Sequence, residues 1–242
     1  MNLLLLKQED FIAADIARVE GRRHCQLRDV IKAIPGKVCR AGILNGMRGK
    51  AEVLECGKDH TLLRYFDTDA PPPPLPVKLL IALPRPQTYT KVLNCAVEMG
   101  VKEIHFINSF KVEKSYWSGS RLAEEYINNE LTLALEQACD TVMPKISFHP
   151  RFKVFMEDEL PEIAGNDQKI AGIPGGSAYP ETFAGRPVTL AVGPEGGFTD
   201  YENEFLLQSG FTGVTLGPHI LRTEFAVSAL LARLSIDPGA LS

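Results

Sequence analysis

The sequence predicts an α/β protein built on a mainly parallel sheet and preceded by a small β module. Three observations predict it. After residue 76, near-continuous apolar runs of strand length alternate with helical patterns, as strands covered on both faces require. Before residue 71, short β-type runs are punctuated by turn signals. Between the two stands Pro71-Pro72-Pro73-Pro74-Leu75-Pro76, which can join neither a helix nor a central strand and reads as a stiff extended connector. The expected organisation is a small β-barrel or sheet module over 1–70, a linker over 71–76 and an α/β domain over 77–242.

In the first region, Lys37–Leu44 and Lys50–Cys56 flank the turn signal Asn45-Gly46, and Thr61–Phe66 follows Gly57-Lys58-Asp59. Ala51 and Val53 alternate with Lys50 and Glu52, the two-residue period of a half-buried strand. One short helix is expected around Arg23–Ile34. In the second region Val77–Leu83 is a strand. Thr90–Met99 is a helix, with Val92, Leu93, Ala96 and Val97 on one face and Gly100 as its stop. Glu103–Ile107 is the next strand, and Arg121–Ala138 a long helix with Ile127, Leu131, Ala134, Leu135 and Ala138 at helical spacing. Further strands are expected at Lys153–Met156, Gln168–Ile173, Val188–Val192 and Gly213–Leu216, and further helices at Asp200–Ser209 and Thr223–Ser235.

The chain has 242 residues, 45% of them hydrophobic and 23% charged, an ordinary globular composition that excludes a disordered tail or a fibre. Leu3–Leu6 is too short for a signal-peptide core and far short of the roughly 20 apolar residues of a membrane span, and no other run comes near that length. A cytoplasmic protein without a membrane partner is expected. The five cysteines are scattered, odd in number and without a CxxC pair, which argues against a disulfide framework and against structural zinc. His24, His60, His105 and His149 show no metal-ligand spacing, so no metal is expected.

The net charge of −4 conceals an asymmetry. Within 18–50, Arg18, Arg22, Arg23, Arg28, Lys32, Lys37, Arg40, Arg48 and Lys50 face only Glu20 and Asp29. Such a cluster on an acidic chain suits a polyanion, with a plain solvated basic surface as the alternative. Arg22, Arg23, Arg28 and Lys32 are the candidates for contact with that polyanion.

In open parallel sheets, ligands bind at the carboxyl ends of strands, and two loops there are unusual. Val192-Gly193-Pro194-Glu195-Gly196-Gly197-Phe198-Thr199 leaves a buried strand and enters a helix through the capping box Thr199-Asp200-Tyr201-Glu202. Its glycines let backbone N–H groups approach a ligand, yet it is neither GxxxxGK[ST] nor GxGxxG, which disfavours a phosphate cradle or an ordinary dinucleotide fingerprint. A plain turn is the alternative. Leu216-Gly217-Pro218-His219-Ile220-Leu221-Arg222-Thr223-Glu224 is the second. Ile220 and Leu221 are apolar residues in a loop and need burial against core or a flat ligand; Arg222 stands at a helix entrance, with Thr223 as candidate N-cap, and suits an oxyanion. Ile173-Pro174-Gly175-Gly176-Ser177 ends another strand and is either a third ligand loop or a turn.

GPEGGFT followed by LGxxILRTE closely resembles the C-terminal signature of the RsmE family, SPOUT-class methyltransferases that methylate N3 of a uridine in small-subunit (16S) ribosomal RNA using S-adenosylmethionine. Val97-Glu98-Met99-Gly100-Val101 resembles that family's TELGV segment, and Glu136-Gln137 with Pro144 its EQ…P segment. The basic N-terminal module is similar to its PUA-like RNA-binding domain. The family's pattern differs at Asp140, His219 and Phe225, where it usually has Arg, Arg and Thr.

The resemblance implies a SPOUT-type knotted, mainly parallel sheet with helices on both faces, ending in a C-terminal trefoil knot and preceded by a PUA-like β-barrel. It implies a homodimer acting on ribosomal RNA or the small ribosomal subunit. S-adenosylmethionine would be held by Ile173, Gly193, Glu195, Gly196, Gly197, Leu216, Gly217, Ile220, Leu221 and Thr223, with Arg222 nearest the chemistry and Glu195 a candidate proton acceptor or a structural anchor. The alternatives are an RNA-binding SPOUT paralogue with weak or no catalysis, and a SPOUT enzyme acting on another RNA or at a ribose 2′-hydroxyl.

Overall fold

The computed structural model describes residues 2–177 and 186–235. The chain divides into two compact units, Met1–Pro73 with Thr132–Met143, and Pro74–Leu131 with Pro144–Ser242.

The first unit is a five-stranded sheet in the order β1-β3-β4-β5-β2. Its strands are β1 (Leu4–Leu6), β2 (Ile16–Glu20), β3 (Val38–Ile43), β4 (Arg48–Cys56) and β5 (His60–Asp69), with α1 (Gly21–Cys25) continuing into a π-helical turn over Gln26–Val30. Strands β3, β4, β5 and β2 pair antiparallel, whereas β1 pairs parallel to β3. Asn45 takes the left-handed conformation at the β3–β4 turn, as Asn-Gly leads one to expect. Leu4, Leu6, Val19, Leu27, Ala41, Ala51, Val53 and Leu63 form one buried core, so the inward face follows the two-residue period. Segment 132–143 completes this unit: Leu3 N–H donates to the Glu136 carbonyl at 3.0 Å, Asn45 N–H to the Thr141 carbonyl at 2.7 Å, and Thr141 Oγ1 to the Gly46 carbonyl at 2.6 Å.

The second unit is a six-stranded, all-parallel sheet in the order β11-β9-β10-β6-β7-β8. It runs β6 (Leu75–Ala82), α2 (Pro86–Glu98), β7 (Val101–Ile107), α3 (Glu124–Ala138, its first half in this unit), β8 (Lys145–His149), α4 (Phe152–Val154), α5 (Leu160–Ala164), β9 (Gln168–Ser177), β10 (Val188–Val192), α6 (Asp200–Gln208), β11 (Thr212–Val214) and α7 (Thr223–Ser235). Every residue of β10 is buried, as its unbroken apolar run requires. Helix α2 buries Val92, Leu93, Ala96 and Val97 and ends at Gly100, whose φ of 84° is the left-handed stop. Helix α7 packs against α2.

One element differs from expectation. Lys153–Met156 is helical, running through α4 into a π-helical turn over Phe155–Glu159, and the strand lies earlier, at Lys145–His149. Phe155, Met156 and Leu160 bury together at helical spacing, whereas β8 is a half-exposed edge strand. Segment Ile173–Ser177 is extended as the end of β9 rather than a turn. No helix among the described residues is long and apolar enough to cross a membrane.

Candidate functional site

The parallel arrangement brings the carboxyl ends of β9, β10, β11, β6 and β7 to one edge of the sheet, where the loops that follow them converge. A cavity of about 450 Å³ opens there. Its walls come from three segments: Gly172–Gly175 at the end of β9, Val192 at the end of β10, and Val214–Leu221 after β11, with Ala226 and Leu230 of α7 behind. Of the residues singled out in the sequence, Ile173, Leu216, Gly217, Ile220 and Leu221 line it, as does His219. Ile220 is 85% exposed and Leu221 41% exposed, so these apolar loop side chains are not buried in the core. A volume in the roughly 300–1,000 Å³ range of small-molecule sites, apolar walls and neighbouring backbone amides together suit a flat heteroaromatic ring.

The loop after β10 stands beside this cavity and does not line it; its glycines answer to the tightness of the turn. A Cβ on Gly193 would lie 2.9 Å from the Phe198 nitrogen, one on Gly196 would lie 2.9 Å from the Lys111 side chain, and Gly197 has φ of 66°. Glu195 Oε1 accepts from the Arg85 backbone N–H at 3.2 Å, and the Arg85 Nε lies 3.6 Å from the same oxygen. The structure therefore gives Glu195 a tether to the loop between β6 and α2.

The residue that organises this edge is Glu202. The capping box at Thr199 is formed, and the Glu202 carboxylate, 3% exposed, also accepts from the Ser109 hydroxyl at 3.1 Å and the Phe110 N–H at 2.8 Å. Nearby, Lys111 Nζ donates to the Gly196 carbonyl at 2.6 Å. The loops after β7 and β10 are thus joined by a buried carboxylate and an ammonium. Sequence reasoning identified Glu202 as a helix cap; no local signal in Ser109-Phe110-Lys111 points to the partnership.

Thr223 is buried at the start of α7, and Arg222 is exposed. The first helical bonds go to the Arg222 carbonyl, from Phe225 N–H at 3.0 Å and Ala226 N–H at 2.8 Å, so Arg222 rather than Thr223 occupies the cap position. Glu224 is held by Lys91 of α2 at 3.2 Å, and that ammonium, after the helix backbone itself, keeps its carboxyl below the usual range. Phe225 projects outward, 58% exposed, and fills no core.

In the first unit, the structure ties up three of the four proposed RNA contacts. Arg22 makes a two-pronged pair with buried Glu136 at 2.9 and 3.0 Å. Arg23 pairs with Asp10 through both terminal nitrogens and also donates to the Leu5 carbonyl. Arg28 grips Asp29 at 2.7 and 2.8 Å and the Lys58 carbonyl at 2.9 Å. Lys32 is exposed and takes a left-handed backbone, φ 53°. Asp140, where the resembling family has Arg, is 3% exposed and accepts from the Thr141 and Val142 N–H groups, turning the chain after α3.

Comparison with known proteins converges on one chemistry. The family model described as RNA methyltransferase domain matches residues 71–235. A Treponema pallidum (strain Nichols) protein named ribosomal RNA small subunit methyltransferase E is 28% identical over 246 residues, spanning 96% of this chain and 90% of its own. Among solved structures, a Legionella pneumophila methyltransferase with the cofactor SAM bound superposes with a TM-score of 0.74 at 18% identity, covering 96% of this chain and 95% of that one. The ribosomal RNA small subunit methyltransferase E of Neisseria gonorrhoeae bound to S-adenosyl methionine gives 0.69 at 20% identity, covering 96% and 95%. At these identities the two structures establish a shared fold.

Proposed function

The chain belongs to the RNA methyltransferase domain family, whose model spans residues 71–235, and from that premise we propose that it transfers the methyl group of S-adenosylmethionine to N3 of a uridine in small-subunit ribosomal RNA. The observation that carries the proposal is the cavity at the carboxyl ends of β9, β10 and β11, walled by Ile173, Leu216, Ile220 and Leu221. Apolar loop side chains facing a cleft, with glycine backbone between them, offer two flat surfaces and several N–H groups to an adenine ring. Leu216, Gly217, Ile220, Leu221 and Ile173 would hold the cofactor, with Gly193, Gly196 and Gly197 shaping the adjoining loop and Thr223 seating the end of the Leu216–Arg222 loop. Bound there, S-adenosylmethionine supplies an electrophilic methyl group.

The residues of this chain have the remaining tasks. Uracil N3 carries a proton, which passes to solvent as N3 becomes a nucleophile and takes the methyl released from the sulfonium, so negative charge develops on the ring before the new bond forms. Stabilising that charge through a guanidinium is the role assigned to Arg222, which is exposed at the entrance to α7. Glu195, already tethered by Arg85, serves to fix the loop rather than to take the proton. Glu202 acts through Ser109, Phe110 and Thr199, holding two loops of the site in register.

The finer architecture follows the same reading. Strand β10 lies between β6 and β9, and α7 returns from the edge strand β11 to pack on α2, an order that supports a trefoil knot, an exception to the rule that chains do not thread. The first unit is read as a PUA-like RNA-binding module, and the active form as a cytoplasmic homodimer. The test is incubation with labelled S-adenosylmethionine and small ribosomal subunits lacking the modification, followed by nucleoside mass spectrometry. N3-methyluridine is the expected product; a ribose methyl, or cofactor binding with no methylated uridine, would overturn the assignment.

A further inference from the structure

The basic stretch 18–50 divides once its partners are known. Arg22, Arg23 and Arg28 are committed to Glu136, Asp10 and Asp29. Arg40 and Lys50 are exposed and, among the described residues, make no ion pair or side-chain hydrogen bond. The register sets these two side by side: Arg40 of β3 faces Lys50 of β4, and Lys50 faces Phe66 of β5. Directly opposed residues on a sheet have Cβ atoms roughly 5 Å apart, so the three form one continuous row.

That row lies on the outward side of the sheet. The alternate residues Ala41, Ala51 and Tyr65 point into the core. Phe66 is 46% exposed in spite of its large apolar ring. Its position is deliberate in backbone terms: β4 bulges between Arg48 and Gly49, and a Cβ on Gly49 would come within 1.9 Å of the Phe66 carbonyl oxygen. One end of the face is closed, because a Cβ on Gly42 would meet the Thr141 side chain at 2.5 Å, and the row Arg40–Lys50–Phe66 is the next one out.

We propose that the outward face of β3, β4 and β5 is a platform for single-stranded RNA, on which Phe66 stacks a base and Arg40 and Lys50 hold flanking phosphates. The proposal rests on the RNA substrate of the function proposed above and adds where the RNA lies on the first unit. An exposed ring on a sheet with uncompensated cations beside it has the two elements of sequence-tolerant strand binding, a stacking surface and an electrostatic groove. The next row holds Arg64 with Asp15 at 3.5 Å and Glu52 at 4.0 Å, one cation against two carboxylates, and with Arg40 and Lys50 the face keeps a balance of +1. A second copy docked face to face would set cations against cations, which favours a polyanion over self-association.

The test uses the full chain and a short fluorescein-labelled oligouridylate, with affinity read by fluorescence anisotropy across a salt series. Phe66→Ala is expected to weaken binding roughly tenfold, and Phe66→Trp to restore it. The Arg40→Ala/Lys50→Ala variant is expected to reduce the slope of log affinity against log salt by about 1.4, the share of two phosphates on a single strand. Arg28→Ala, off this face, should leave the slope unchanged. All four side chains are exposed, and cofactor affinity measured in parallel reports that the second unit is intact. If the wild type methylates ribosomal subunits while these variants bind RNA with unchanged affinity and slope, the platform is wrong and the methyltransferase assignment stands. If the wild type neither binds the oligonucleotide nor methylates subunits, both fall.

Discussion

The backbone N–H of Phe110 donates to Glu202 Oε1 at 2.8 Å, joining the loop after β7 to the first turn of α6. The second carboxylate oxygen of Glu202 accepts from Thr199 N–H at 2.8 Å, the Thr199 hydroxyl at 2.9 Å and the Ser109 hydroxyl at 3.1 Å. Both oxygens therefore face N–H donors. In Glu202→Gln the amide must present its NH₂ to one of them, whichever way it turns, and one buried donor is left opposite another. The expected cost is about 2 kcal/mol, with weakened cofactor affinity because the loop after β10 loses its anchor. Chemical denaturation and calorimetric titration of S-adenosylmethionine measure the two effects; a variant equal to the wild type in both would show that Glu202 is only a helix cap.

The cavity can be filled from behind. Ala226 of α7 lines it, and its side chain is the smallest that a helix position there could carry without glycine. Ala226→Phe should occupy the space a flat ring needs while leaving the loop backbones untouched. A ligand that binds only the folded state raises stability by about 2.7 kcal/mol at a hundred times its dissociation constant. The wild type is expected to show a stabilisation of this order with S-adenosylmethionine, and Ala226→Phe none. Equal stabilisation of both proteins would place the cofactor elsewhere.

His105 carries a pH dependence. It is 2% exposed, with Nε2 3.0 Å from Glu103 Oε1 and Nδ1 3.0 Å from His149 Nε2, and His149 Nδ1 lies 2.7 Å from Glu159 Oε2. Burial lowers the His105 pKa; Glu103 opposes this, while His149 and Lys145 reinforce it. A histidine whose folded pKa lies below its unfolded value near 6.5 binds fewer protons folded than unfolded, so its contribution is present above about pH 6.5 and is lost as pH falls below that. Urea midpoints should decline from about pH 7 to pH 5, and His105→Gln should flatten the decline. An equally steep decline in the variant would assign it to other groups.

Much of this was legible in local sequence because the signals were local. The wholly buried Val188–Val192, the apolar face of α2 and the capping box at Thr199 each declare themselves within a few residues, and they fix where the loops of the site emerge. Strand β8 was illegible because an edge strand such as Lys145–His149 is half polar, while Val154-Phe155-Met156 imitates a strand although its buried residues continue to Leu160 at helical spacing. The pairings within the basic run were illegible for a different reason. Charge counts do not show that Arg22 finds Glu136, which lies 114 positions away, or that Arg40, Lys50 and Phe66 come into line. Pairings of that range follow from register and from segment 132–143 completing the first unit, neither of which has a sequence pattern of its own.

Arg222 separates backbone from side chain in a way that makes a clean test. Its carbonyl accepts the first bonds of α7, from Phe225 and Ala226, while the residue itself is exposed at the end of the loop that walls the cavity. Arg222→Ala keeps that carbonyl, so folding and the shape of the cavity should survive. What the proposed reaction would lose is the permanent charge assigned to stabilise the uracil ring, a kind of loss that costs on the order of 10²–10³ in turnover. Cofactor affinity is expected to change by less than about threefold, and kcat to fall by at least about a hundredfold. Arg222→Lys should recover only part of this, since a point charge replaces a planar fork of donors. Single-turnover methylation of ribosomal subunits at saturating cofactor distinguishes the cases: full turnover in Arg222→Ala would remove this residue from the chemistry, and a parallel fall in cofactor affinity would reassign it to binding.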